Sequence, residues 1–510
     1  MATPRARSRL ALSCSLVALV ACGGGGDGPT TPPPPPPPAP TAAIALSAAT
    51  ATVQAGTSTT VGVTLTRGGG FTGPVTVATT GLPAGVTVAE QVIAAGSTSA
   101  SLTIAAAPTA AAGSATVSVT GAGTGVTIAP QTLALTVTAI PATVPITPIG
   151  AEVNVTSGAT VVFNADGTRM AVGSWGEGAG VTRVFQRSGD AWVRLGGDIV
   201  GQVIGGQAGY ALAFNGAGTR LAVGAHLDNS GGSAAGRVTV FDLVGTTWTQ
   251  VGTSFTGGLA DQLGWSVTLS GDGTRLVAGA PEANSTNGRV AAWQFAGGSW
   301  TPMPLPAPPE NVEFGHAVAL SRDGLRLAVG APAAAGNTRP GSVFVYQWSG
   351  SAWSAIGTPI TGKAPGDQGG AAVALSVDGL RLAVGSPSNR DGGVSGGGSP
   401  AGQVRVFQWN GSAWTQLGGD MNGTTGVNGD NLGESLGLSD DGARLIASGS
   451  LQGLARVFRL SGTTWSQVGM PLTGSAPRVE RVAIAGDGRT LALGLVNATP
   501  NRVRTFAFAP

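Results

Sequence analysis

Ala317-Val-Ala-Leu-Ser-Arg-Asp-Gly-Leu-Arg-Leu-Ala-Val-Gly330 returns almost letter for letter as Ala372-Val-Ala-Leu-Ser-Val-Asp-Gly-Leu-Arg-Leu-Ala-Val-Gly385. The phrase is an apolar run, an Asp-Gly turn, Arg-Leu, a second apolar run and a closing Gly. Seven copies lie between Thr160 and Leu493, and a period of roughly 50 residues marks units that bury their cores only by stacking on neighbours. Aligned on the turn, Arg169, Arg220, Arg275, Arg326, Arg381 and Arg444 share one slot, which Thr490 fills in the last copy. Gly158, Gly209, Gly264, Gly315, Gly370 and Gly433 share another, upstream. A third strand follows, as in Gly341-Ser-Val-Phe-Val-Tyr-Gln-Trp348, and then a fourth, as in Ala352-Trp-Ser-Ala-Ile-Gly-Thr-Pro-Ile360. Four short strands per unit in a radial array describe a β-propeller blade, so seven copies predict a seven-bladed propeller over residues 145–510.

The ends of the array point to closure. The last copy stops after its third strand, Arg502-Val-Arg-Thr-Phe-Ala-Phe508, and Val144-Pro-Ile-Thr-Pro-Ile149 stands unassigned before the first. Its likeness to the fourth strands predicts that it completes the seventh blade and removes two exposed sheet edges.

Upstream, residues 41–140 hold Val/Thr/Ala alternations such as Thr60-Val-Gly-Val-Thr-Leu-Thr66, broken by Gly and Pro every eight to twelve residues. That spacing predicts a β-sandwich. Residues 1–22 read as a secretory leader: Arg5, Arg7 and Arg9, then an apolar stretch from Leu10 to Ala21, too short to span a bilayer, then Cys22. Residues 23–40 are Gly-rich and then Pro-rich, which describes a stalk with a flexible base and a stiff polyproline spacer.

Composition excludes several classes of function. Losing three of the 27 basic residues with the leader leaves 24 against 25 acidic ones. Such a balance offers no footprint for nucleic acid. Cys14 and Cys22 are the only cysteines and His226 and His316 the only histidines, so a disulfide framework or a multi-His metal centre is not expected in the folded part.

The recurring pattern resembles the FG-GAP propellers related to the integrin α headpiece; Phe314-Gly315 and Gly330-Ala331-Pro332 carry the name, and Gly279-Ala280-Pro281 repeats half of it. Gly81-Leu-Pro-Ala-Gly-Val-Thr87 resembles bacterial immunoglobulin-like modules, and Leu19-Val-Ala-Cys22 the lipoprotein box. These resemblances imply an all-β chain, an immunoglobulin-like sandwich followed by the propeller. They also imply lipidation at Cys22 and an outer-membrane address, facing either the periplasm or the cell surface. Many family members hold calcium in a loop of alternating Asp and Asn. Here that stretch is Ser321-Arg-Asp-Gly or Ser376-Val-Asp-Gly, one carboxylate where calcium needs six or more oxygens, so neither metal nor cofactor is expected.

The turn aspartates Asp166, Asp272, Asp323, Asp378, Asp441 and Asp487 lie on six different blades and cannot converge on one substrate. They read as hairpin chemistry, with positive φ at both central residues. Trp192, Trp248, Trp300, Trp353, Trp414 and Trp465 open six fourth strands and read as packing between blades. The repeated Arg reads as snorkelling or pairing with a neighbouring carboxylate at the rim. Links from strand two to three and from four to one vary in length and share a face, and variable loops on a rigid scaffold are where binding resides. Trp175, His226, Asp228, Asp261, Glu282, Asn337, Arg339, Asp367, Arg390, Asp391 and Asp430 are the ligand candidates there. No catalytic cluster is visible. The expected function is therefore non-enzymatic binding or adhesion to protein or glycan by a lipid-anchored monomer. A periplasmic assembly scaffold and a glycan hydrolase or lyase are the alternatives.

Overall fold

The computed structural model describes residues 38–508 apart from 55–57, 108–109, 139–145, 306–311, 334–337, 391–399, 424–428, 450–452 and 474–477. The leader, Cys22, nearly all of the stalk, Asn337 and Asp391 lie outside the described residues.

The described residues are all-β but for one helical turn, Ala283–Thr286. Its first part is two sheets sharing one apolar core. One runs Thr41–Leu46, Ser58–Gly68, Ser99–Ala106, Val86–Val88; the other runs Thr50–Gln54, Gln131–Thr138, Gly113–Ala122, Val75–Thr80, Gln91–Ile93. Alternation does the work: in Gln131–Thr138, Leu133, Leu135 and Val137 point inward while Thr132, Ala134, Thr136 and Thr138 take the outer face. Arg67, one of the few charges here, donates to the carbonyls of Ala94 and Ser97 and so pins a loop.

The second part is seven antiparallel sheets, each built in chain order, as in Ala317–Leu320, Arg326–Ala331, Ser342–Trp348, Trp353–Ala355. The second strand reads as an unbroken apolar run because both of its faces are covered by neighbouring sheets: past Arg326, every residue of Arg326–Ala331 is buried. The seventh sheet takes its outer strand from the start of the array, Ile146–Pro148 pairing antiparallel with Asn501–Phe508.

The innermost strands touch their successors in order, and that of the seventh unit, Arg478–Ile484, touches that of the first, Thr160–Phe163. Seven main-chain hydrogen bonds run around the axis. Ala165 N–H donates to Gly216 O, Gly216 to Gly271, Gly271 to Arg322, Arg322 to Val377, Val377 to Asp440, Asp440 to Gly486, and Asp487 back to Ala165, at 2.7–3.1 Å. The sheets therefore form a closed, propeller-like ring. The paired glycines of the repeat are its contact points. A Cβ on Gly330 would stand 2.0 Å from the carbonyl oxygen of Gly370 in the next unit.

Two turn-level expectations are corrected. In the Asp-Gly turn only the Gly adopts positive φ (Gly324, 67°), and the Asp does not. The loop is longer than two residues: Ser321 and Arg326 close it, Gly324 N–H donates to Ser321 O, and Asp323 accepts the Leu325 N–H at 2.8 Å and the Ser321 hydroxyl at 2.5 Å. The turn is thus built on side-chain acceptance, as in Asx motifs.

For the repeated Arg, the expected pairing with a neighbouring carboxylate holds at Arg220 and is replaced at Arg326 and Arg381 by main-chain contact with the next unit. Arg220, Arg326 and Arg381 donate to the carbonyl oxygens of Gly273, Gly379 and Asp441, in the Asp-Gly turn of the next unit, at 2.8–3.0 Å. Arg220 also pairs with Asp242, but within its own sheet. The fourth-strand tryptophans do pack between units: Trp248 and Trp465 donate to Leu195 O and Leu417 O of the preceding sheet, each at 3.1 Å.

Candidate functional site

The repeat places one side chain per unit at the mouth of the axial channel, just after the repeated Gly, where the first strand begins. These residues read Ala159, Tyr210, Trp265, His316, Ala371 and Glu434. In the seventh unit a β-bulge between Val479 and Arg481 inserts Glu480 and turns Arg481 to this place. Tyr210, Trp265, His316, Ala371, Glu434 and Arg481 line one cavity of about 550 Å³. The opposite end of the channel is narrower, about 190 Å³, with Arg322 and Asp440 ion-paired there.

One side of the mouth is aromatic. Trp265 lies between Tyr210, at 5.2 Å between ring centroids, and His316, at 5.4 Å, each tilted 51° to it. Trp175 extends the arc, edge-on to Tyr210 at 5.8 Å. His226 sits behind it, 4.0 Å from the Tyr210 ring and 5.0 Å from Trp265, buried and with no partner on Nδ1. Burial, and secondarily the Arg481 charge, hold the His226 pKa down at about 4. Burial likewise brings His316 to about 4. Its Nδ1–H donates to Ala371 O at 3.2 Å, which leaves Nε2 as an acceptor at neutral pH.

The other side is polar. Arg481 lies over the Tyr210 ring, 5.4 Å from its centroid, and Glu434 pairs with Arg478 at 3.2 Å. Two residues before the repeated Gly, Gln207, Gln262, Glu313, Gln368 and Asn431 all adopt positive φ, 51–60°. That conformation is uncommon outside Gly and rarer still for Gln and Glu. Glu313, Gln368 and Asn431 line the cavity. Burial, and then the charge of Glu282, raise the Glu313 pKa. Asn431 Oδ1 is buried without a donor.

Among the described residues, none of the candidates drawn from the variable loops lines this cavity. Asp228, Asp367 and Asp430 are buried and already engaged. Asp228 lies 3.2 Å from Arg237, Asp430 is 2.6 Å from Arg456, and Asp367 accepts the N–H groups of Lys363 and Ala364 and the amide of Asn389. Asp261 pairs with Arg289 at 2.6 Å. In Asp261-Gln262, Asp367-Gln368 and Asp430-Asn431 the Asp anchors the loop and the next residue turns left-handed. His226 is buried behind the arc; Trp175 and Glu282 are half-buried at its edge, and Arg339 and Arg390 are exposed on the rim.

The residues that do line the mouth were open to one sequence signal. The slot after an invariant Gly holds Tyr, Trp, His and Glu within a frame that otherwise repeats. Among the described residues, no three His, Cys, Asp or Glu side chains group as metal ligands.

No family model matches the sequence, and no curated protein matches it. Solved structures similar to this chain include the periplasmic gluconolactonase of Pseudomonas aeruginosa, at 18% identity and a TM-score of 0.48 over 70% of this chain and 92% of that one. They also include RRP9 WD40 repeats, at 13% and 0.47 over 72% and 100%, and TolB from Acinetobacter baumannii, at 12% and 0.35 over 69% and 63%. Likeness at this level reaches no further than the all-β, propeller-like arrangement already visible in the sheets, and no activity is carried over by it.

Proposed function

We propose that this chain is a non-enzymatic, lipid-anchored envelope protein that binds a protein or glycan ligand at the central mouth of a seven-bladed propeller of the FG-GAP kind. In this reading Cys22 carries the acyl chains in the outer membrane, and residues 23–40 and an immunoglobulin-like module hold the ring away from it. Two or three acyl chains suffice for stable anchoring where one would not. The ring acts as a monomer, since closure leaves few strand edges for pairing.

The observation that carries the reading is the slot after the repeated Gly. Stacking alone is satisfied by Ala there, as Ala159 and Ala371 show, yet Tyr210, Trp265, His316 and Glu434 occupy the same slot and converge on one cavity. Large, partly exposed aromatic and charged side chains on a rigid scaffold are the composition of a recognition site.

The test is capture of protein ligands from envelope extract and of glycans on an array by the full chain. The Tyr210→Ala/Trp265→Ala variant should lose capture, and Trp248→Phe, which alters only packing between units, should keep it. Equal capture by both variants would move binding away from the mouth.

One observation favours a second reading, a glycan hydrolase. Glu313, its pKa raised by burial, shares the cavity with Glu434, and glycoside hydrolysis works with two carboxylates. Turnover of a glycan panel that disappears in Glu313→Gln while binding persists would establish it in place of binding alone.

A further inference from the structure

The chemistry of the mouth narrows what it takes, granted the binding reading above. We propose that the ligand group held there is a saccharide, one sugar ring lying against Trp265 with its hydroxyl rim toward Glu313, Gln368, Asn431 and Arg481.

Three features of the cavity lead to that class. The first is the wall: Trp265 sits mid-arc, half-buried, with Tyr210 and His316 tilted equally on either side. An aromatic wall of this kind takes the apolar C–H face of a ring.

The second is an excess of acceptors. The Asn431 Oδ1 has no donor, His316 directs its only N–H to Ala371 and keeps Nε2 free to accept, and the Glu313 carboxylate stands against Glu282 without an ion-pair partner among the described residues. Acceptors left without donors favour a ligand rich in donors, because each unmet buried group costs its desolvation. A lipid chain supplies no donors. A phosphate or polyanion supplies acceptors only and meets two glutamates. Sugar hydroxyls supply donors on one edge of a body whose faces are apolar, which matches both halves of the mouth.

The third is size. The cavity, about 550 Å³, lies within the range of about 300–1,000 Å³ usual for small-molecule sites and holds about two sugar rings. Arg481 and Gln368 are the planar groups suited to adjacent hydroxyls. Arg481 is held in place by Tyr210, so it meets the ligand with little further ordering.

The full chain titrated with cellobiose, chitobiose and maltotriose, followed by tryptophan fluorescence and calorimetry, tests this. One of these saccharides should saturate and shift the emission. Trp265→Ala should weaken its binding at least tenfold and Gln368→Ala severalfold, both with the ring still folded, and Trp248→Phe should leave binding unchanged while lowering the melting temperature through the lost bond to Leu195.

Saturable binding of a basic peptide such as tetralysine, lost in Trp265→Ala while no saccharide binds, would overturn the saccharide class and leave the mouth standing. Saccharide binding indifferent to both Trp265→Ala and Gln368→Ala would keep the class and overturn the mouth. Binding of neither probe would sink both.

Discussion

Asp323 illustrates how one carboxylate can look catalytic in a sequence and be structural in the fold. It accepts the Leu325 N–H and the Ser321 hydroxyl, and its own carbonyl takes a hydrogen bond from Arg275 of the preceding unit. Asp323→Ala should therefore cost about 1–2 kcal/mol in urea unfolding, whereas Asp323→Asn, which keeps an acceptor, should cost less. A chelator should change neither value. His226 gives a prediction in pH. Its pKa is about 4 in the folded ring, against an ordinary 6.5, so between those values the unfolded chain binds the extra proton. The contribution of neutral His226 is complete above pH 6.5 and is lost as pH falls toward 4. The melting temperature should drop across that window, and the drop should be shallower in His226→Phe, which keeps the aromatic stack. The structural role of Asp323 was legible in the sequence but its turn geometry was not, and the role of His226 was not legible at all. Asp-Gly suggests a two-residue turn unless the backbone angle of the Asp is known, and a lone His carries no mark of being wedged between Tyr210 and Trp265.

At the scale of elements, repetition made the architecture readable. A second strand covered on both faces has to be apolar past its first residue, and the Leu-Ala-Val-Gly that follows the Arg is. The missing fourth strand of the last copy had to be supplied from elsewhere, and Ile146–Pro148 supplies it. A chain beginning at Ala151 keeps Val153–Val155 on Asn501–Val503 but should leave Phe506–Phe508 as an open edge, melt at lower temperature and scatter more light on heating than a chain beginning at Val144. Equal melting and scattering would mean that the ring closes through its inner contacts alone. The positive-φ series from Gln207 to Asn431 was less legible, because Gln and Glu are not residues from which left-handed backbone is expected. At Gln262, Gln368 and Asn431 the conformation is held by anchors on either side: the clamped Asp, and the Gly pressed on the neighbouring unit.

For the whole molecule, the sequence pointed to loops around the wider cavity but not to the residues that line it. Loop variability drew attention outward, to Asp261, Asp367 and Asp430, when the neighbouring residues and the slot after the Gly were the ones turned to the axis. Tyr210 and Trp265 sit at the head of apolar strands and read as core. Only the ring, by bringing seven equivalent positions within reach of one another, makes them a surface. Its closure also has a mechanical side. The chain that leaves the sandwich becomes Ile146–Pro148 and continues into Thr160–Phe163. Tension between the sandwich and a ligand held in the mouth thus arrives at the seam between the last unit and the first. It peels a three-residue strand before it can shear any longer one. Under load, the ring would yield first at its fastening.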